Sequence, residues 1–183
     1  VNNRIYNSLV LLSALLGTCS AAAADEEDSA RHDRDRPVAK LFDANGKLVG
    51  KMVYFQGPGV VLNIHGAPVY ANITRIGDGY LEQSETDLKW SSGTGAFAGP
   101  NCSGTIYVTS EVGVLRPTAT VRNGSTVTLY VASGGRQQTV LLSSWGEPGV
   151  DCFSSRPVQL RAWAVESIFD LSQNYPEPLR IGP

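Results

Sequence analysis

The chain has 183 residues and little net charge, with 15 Lys and Arg against 17 Asp and Glu for a net of −2. No basic cluster is present, which argues against a nucleic-acid partner. The 19 glycines and 10 prolines, with other turn residues, interrupt every apolar run before it reaches the roughly 18 residues a membrane span requires.

The first 24 residues have the three parts of a secretion signal. Arg4 gives a positive start, Leu9 to Leu16 form a short apolar run, and Ala22-Ala23-Ala24 fits the small-residue cleavage rule. The expectation is an exported bacterial protein, periplasmic or extracellular, cut before Asp25. Leu16-Gly17-Thr18-Cys19 also resembles a lipobox, so a lipid anchor at Cys19 is a competing reading, although Thr18 stands where a smaller residue is usual. A buried N-terminal helix is the third alternative, and the acidic run Asp25-Glu26-Glu27-Asp28 suits a processed end better. Residues 25–37 mix both charge signs with almost no apolar side chains, the composition of a disordered lead-in.

From Val38 to Pro183 the pattern predicts one β-rich domain. Val38 to Phe42 and Lys47 to Phe55 read as strands flanking the turn Asp43-Ala44-Asn45-Gly46. Gln56-Gly57-Pro58-Gly59 leads to a strand from Val60 to His65, and Gly66-Ala67-Pro68 to another from Val69 to Thr74. In these two strands Val60, Leu62 and Ile64, then Val69, Ala71 and Ile73, recur with the period of two that marks a half-buried strand. Residues 77–104 carry no clear pattern. Strands resume at Thr105 to Thr109, and Asn123-Gly124 predicts a type I′ hairpin between Thr118 to Arg122 and Ser125 to Ala132. Thr139 to Trp145 and Val158 to Glu166 complete a set of about nine or ten short strands, with room for one short helix within Glu166 to Tyr175. With no crossover helices, the predicted fold is all-β, a single antiparallel barrel or sandwich.

Removal of the leader with Cys19 leaves Cys102 and Cys152, an even pair in an oxidising compartment, which predicts one disulfide. Two separate buried thiols are the alternative. Two cysteines and one histidine outside the charged segment do not complete a zinc set at any familiar spacing, so no metal and no cofactor is expected.

The motifs that resemble chemistry are weak. Asp43-Ala44-Asn45-Gly46 resembles the start of a calcium loop, but Lys47, Val49 and Lys51 stand where further oxygens are needed, so a hairpin turn is expected. Gly93-Thr94-Gly95-Ala96-Phe97-Ala98 matches a loose dinucleotide fingerprint, and Gly99-Pro100 excludes the helix it needs. Sequons at Asn72, Asn101 and Asn123 are explained by composition. His65 lies on the more polar face of its strand with Val61 and Asn63. A hydrolase using His65 with Asp78 or Asp87 would need a nucleophile that the sequence does not place, and no G-x-S-x-G elbow is present. Aromatic side chains offer the better lead, because Tyr and Trp present a flat apolar face with a polar edge to glycans or proteins. Trp90, Trp145 and Tyr80 are the candidate ligand-binding residues, the two tryptophans because they adjoin Ser- and Gly-rich loops. Core packing is the competing reading for each.

The run Phe97-Ala98-Gly99-Pro100-Asn101-Cys102-Ser103-Gly104-Thr105-Ile106-Tyr107 resembles an aromatic, Cys-Ser-Gly-Thr, aromatic signature of uncharacterised exported bacterial β-rich proteins. The runs Leu41 to Gly50 and Phe169 to Arg180 are similar to segments of the same group, so the resemblance spans about 140 residues. That group often has more cysteines than this chain. The resemblance implies a secreted β module and supplies no activity, ligand or site residue. The functional expectation is a non-enzymatic module that binds an extracellular or envelope component, either a glycan or an envelope protein. A structural envelope subunit and a His65-dependent hydrolase are the alternatives.

Overall fold

The computed structural model describes residues 38–77, 82–110 and 114–183. Residues 1–24, read above as a secretion signal, together with the charged segment 25–37, Cys19, Asp78 and Tyr80, lie outside the described residues. The all-β expectation holds. Twelve strands are present among the described residues, arranged as two antiparallel six-stranded sheets.

The first sheet begins with β1 (Lys40–Phe42), β2 (Leu48–Tyr54), β3 (Pro58–Ile64) and β4 (Ala67–Gly77), followed by β5 (Gln83–Trp90). These strands are neighbours in chain order, and β12 (Arg180–Gly182) adds to the outer edge of β1. Just before β12, Leu179 exchanges two backbone hydrogen bonds with Leu88 of β5, at 2.9 and 2.8 Å. The two outer edges of the sheet are thereby bridged, which bends it toward a barrel and masks strand edges that would otherwise pair with another chain.

Alternation decides which residues point inward. Val60, Leu62 and Ile64 of β3 are buried together with Val69, Ala71 and Ile73 of β4, as their period of two predicts. Val127, Leu129 and Val131 of the second sheet pack onto this face, as do Leu171 and Leu179. Each such aliphatic side chain contributes about 1.5–3 kcal/mol when fully withdrawn from water. The turn between β3 and β4 is His65-Gly66, both at positive φ (50° and 84°). This pattern fits a type I′ turn, one residue earlier than the Gly66-Ala67-Pro68 turn expected. Asp43 closes the β1–β2 turn, its Oδ1 accepting from the backbone N–H of Asn45 and Lys47 at 2.9 Å each. The local need of the turn for acceptors explains this Asp-x-Asn-Gly run without a metal.

The second sheet contains β6 (Ala96–Phe97), β7 (Ile106–Val108), β8 (Thr118–Asn123), β9 (Thr126–Ala132), β10 (Gln138–Glu147) and the 20-residue β11 (Asp151–Asp170). The order is β10-β6-β7-β11-β9-β8, and β10 also pairs with β11, so β10, β6, β7 and β11 close a small ring. In the β8–β9 hairpin Asn123 pairs with Thr126, leaving Gly124-Ser125 as the central turn residues. With Gly124 first and at φ 60°, this is the II′ arrangement rather than the I′ turn expected for Asn-Gly. The C-terminal helix α1 is a single turn, Leu171–Asn174, capped by Asp170, which accepts from the Gln173 N–H. Glu166 to Asp170, expected within it, instead end β11.

Tyr70 lies on the opposite face of β4 from the core residues and is also buried. Its ring rests against Gly59, where any Cβ would sit within 2.7 Å of the ring, and its hydroxyl donates to the Gly57 carbonyl at 2.5 Å. Burial raises its pKa above 10.0, the nearby Tyr54 adding to the rise while a backbone hydrogen bond with Phe55 opposes it. Burial raises Tyr130 in the same direction. A raised phenol stays protonated in the fold after the unfolded chain has begun to ionise. Stability is therefore fully present below about pH 10 and falls as pH rises from there through the folded pKa. A melting series from pH 8 to 11.5 should show this decline, and Tyr70→Phe should flatten it; an unchanged slope would contradict the assignment.

Candidate functional site

Cys102 and Cys152 form the expected disulfide, closing a loop with a sequence separation of 50. Cys102 lies in the β6–β7 connection, where Asn101 and Cys102 are both at positive φ (54° and 52°). The fully buried Ser144 of β10 holds this loop. Its hydroxyl accepts from the Cys102 N–H at 2.8 Å and donates to the Gly99 carbonyl at 2.6 Å. The bridge therefore ties two very short strands, β6 and β7, to the long β11.

Trp90 is not a surface residue. It is 0% exposed within the core of the first sheet. The indole Nε1 donates to the Tyr175 carbonyl at 3.1 Å, and the backbone N–H donates to Glu177 at 2.6 Å. The physical reason lies in β5, whose alternation turns Leu88 and Trp90 inward together. Trp145 is half-buried on β10, cross-strand from Phe153, with ring centroids 6.4 Å apart. Tyr80, the third candidate, lies outside the described residues.

His65 is exposed at the β3–β4 turn. It borders a cleft of ≈460 Å³ lined also by Arg116, Val131, Glu166 and Ser167. Glu166 is already engaged: Arg116 contacts it at 2.7 Å and the Gly134 N–H donates to it at 3.1 Å. No hydrogen bond joins His65 to Glu166 or Ser167 among the described residues. Asp87 sits beyond the Arg75–Leu88 pair at the far end of β4, roughly 30 Å along the strand from the His65 turn, and it pairs with Arg180 at 3.2 Å. The geometry does not assemble the His65–Asp87 arrangement. Among the described residues no three His, Cys, Asp or Glu side chains gather as a metal set, and no helix is long and apolar enough to cross a membrane.

The most distinctive surface is the β10–β11 ribbon. Residues paired across an antiparallel ladder share a face. Leu142 pairs with Val158 and Val140 with Leu160, while Leu141 pairs with Gln159 and Trp145 with Phe153. Leu142 is buried, but Val158 and Leu160 beside it are exposed. On the opposite face Leu141 is 54% and Phe153 66% exposed, and Val150 projects from the tip at 77%. Both faces of one ribbon therefore present apolar side chains to solvent. Gly146 makes the tip close enough to form: it is at φ 109°, and a Cβ there would collide with the backbone of Asp151. The sequence pattern singled out only Trp145 here, because Val158 and Leu160 alternate with Gln159 as one side of an ordinary half-buried strand, and Phe153 precedes the strand expected from Val158.

Comparison with protein-family models, with curated proteins and with solved structures finds no match.

Proposed function

We propose that the chain is an exported, non-enzymatic binding module that holds an extracellular or envelope protein against the β10–β11 ribbon. The observation that supports this reading is the exposure of Leu141, Val150, Phe153, Val158 and Leu160 on that single element. Apolar side chains left exposed in this number on one β element have a cost that contact with a partner removes. Aromatic side chains such as Phe153 and Trp145 are the type that dominates binding energy at protein interfaces. Export is supported by the leader-like residues 1–24 and by a disulfide suited to an oxidising compartment.

The experiment compares the immobilised chain with the triple variant Leu141→Ser, Phe153→Ser, Leu160→Ser in an envelope extract. At least one protein should be retained by the parent and by a control, Leu48→Ser in the first sheet, and lost at least tenfold by the triple variant. Because the three side chains are exposed, the melting temperature should stay within a few degrees of the parent's. Identical retained proteins on all three would end the assignment. Self-association of the parent in sedimentation, abolished by the triple variant, would turn the reading toward a structural envelope subunit.

A further inference from the structure

A second surface, distant in chemistry from the ribbon and independent of it, lies where β4 meets β8. A pocket of ≈80 Å³ opens there. Six of its lining residues bear aliphatic hydroxyls: Ser91, Ser92, Thr94, Ser110, Thr118 and Thr120. Two amides, Gln56 and Asn72, and the Tyr70 side chain complete the wall, so none of the lining residues is charged.

The wall is held in place by its own hydrogen bonds. The Thr118 hydroxyl donates to the Tyr70 carbonyl at 3.1 Å, and Thr94 Oγ1 accepts from the Thr120 N–H at 2.8 Å. Ser92 donates its hydroxyl to Glu147, which leaves the Ser92 oxygen able to accept and places a carboxylate against the wall. The hydroxyls of Ser91, Ser110 and Thr120 form no hydrogen bond to any other described residue, so their donors and acceptors are available to a ligand. Near Tyr70 of the wall stand two aromatics, Tyr54 at the end of β2 and Phe55 in the β2–β3 turn. Phe55 meets Tyr70 edge to face, with centroids 5.2 Å apart, and Tyr54 is 79% exposed.

We propose that this pocket and the neighbouring Tyr54 and Phe55 form a binding site for a neutral carbohydrate. A hydroxyl both donates and accepts, so a wall of serine and threonine matches a sugar's hydroxyls in either sense. The volume holds a few water molecules, room for a hydroxymethyl group or one edge of a ring rather than the whole ring. The remaining ring face lies outside, where an exposed aromatic offers the flat apolar surface that sugar C–H groups cover. The Glu147 carboxylate that Ser92 bonds disfavours an anionic sugar.

Saturation-transfer NMR on the full chain tests this, with cellotetraose, maltotetraose and triacetylchitotriose as neutral probes and polygalacturonate fragments as the anionic comparison. At least one neutral probe should give transfer. Its affinity should fall about tenfold in Tyr54→Ala and about threefold in Ser91→Ala, and stay unchanged in Phe153→Ser. Melting curves establish that each variant is folded, and either one alone suffices to decide. Absence of transfer from all three neutral probes would overturn the proposal. So would equal binding of the anionic fragments, or a neutral probe whose affinity neither variant changes. Loss of the ribbon's partner in the triple variant has no bearing on these outcomes, so the two assignments fail separately.

Discussion

Trp90→Ala should lower stability by about 4 kcal/mol, a fall of about 10–15 °C in melting temperature for a domain of this size. Truncating a fully buried indole leaves a cavity that the closed first sheet has little freedom to fill. It also removes the donor to the Tyr175 carbonyl. The effect extends further because Trp90 is the centre of a joint. Its N–H is received by Glu177, which pairs with Arg122 at 2.7 Å, and Arg122 in turn donates to the Trp90 carbonyl at 3.0 Å. Strands β5 and β8 and the segment before β12 meet at this point. Phe153→Ala, an equally aromatic truncation at an exposed site, should change stability by no more than about 0.5 kcal/mol. Thermal melts of the two variants provide the check. Similar losses would contradict the placement of Trp90 in the core and Phe153 on the surface.

Loss of the Cys102–Cys152 bridge should have a comparable effect, about 4 kcal/mol from the entropy returned to an unfolded loop of that length. The native contacts locate where the loss is felt first. Strand β6 has two residues and β7 has three, so few ladder hydrogen bonds hold them, and the buried cluster of Phe97, Cys102 and Val121 is small. In Cys102→Ala/Cys152→Ala, amide exchange should accelerate in residues 96–108 before it does in β3 and β4. Uniform acceleration across both sheets would show that the bridge supports the whole domain rather than the four-strand ring. A change below about 1 kcal/mol would show that it supports neither.

Much of this architecture was legible because one face of each central strand is buried. The alternation of Val60, Leu62 and Ile64, and of Val69, Ala71 and Ile73, led directly to two adjacent strands and to their inward faces. Strand β5 escaped notice because Ser84-Glu85-Thr86-Asp87 is polar, and only Leu88 and Trp90 mark its buried side. That two-residue spacing was the available signal. The Ser-Gly loop after Trp90 outweighed it and made the indole look like a surface residue. The loop itself does reach a surface pocket through Ser91 and Ser92, although the indole points the other way. Closure of the first sheet through Leu88 and Leu179 depends on a pairing 91 positions apart, which no local pattern encodes. The same limit applies to the candidate sites. Trp145 stood out as an aromatic, but the hydroxyl wall draws residues from five separate stretches of chain, and the two-faced exposure of the ribbon follows from what fails to pack on it.

The most direct test of ribbon-mediated binding is site-specific photo-crosslinking in cells that naturally produce the chain, with a photoreactive side chain at Phe153 or at Leu48. The account predicts a discrete, heavier adduct with another protein from position 153 and none from position 48. Equal adducts from both positions, or none from Phe153 under conditions where the chain is abundant, would contradict it.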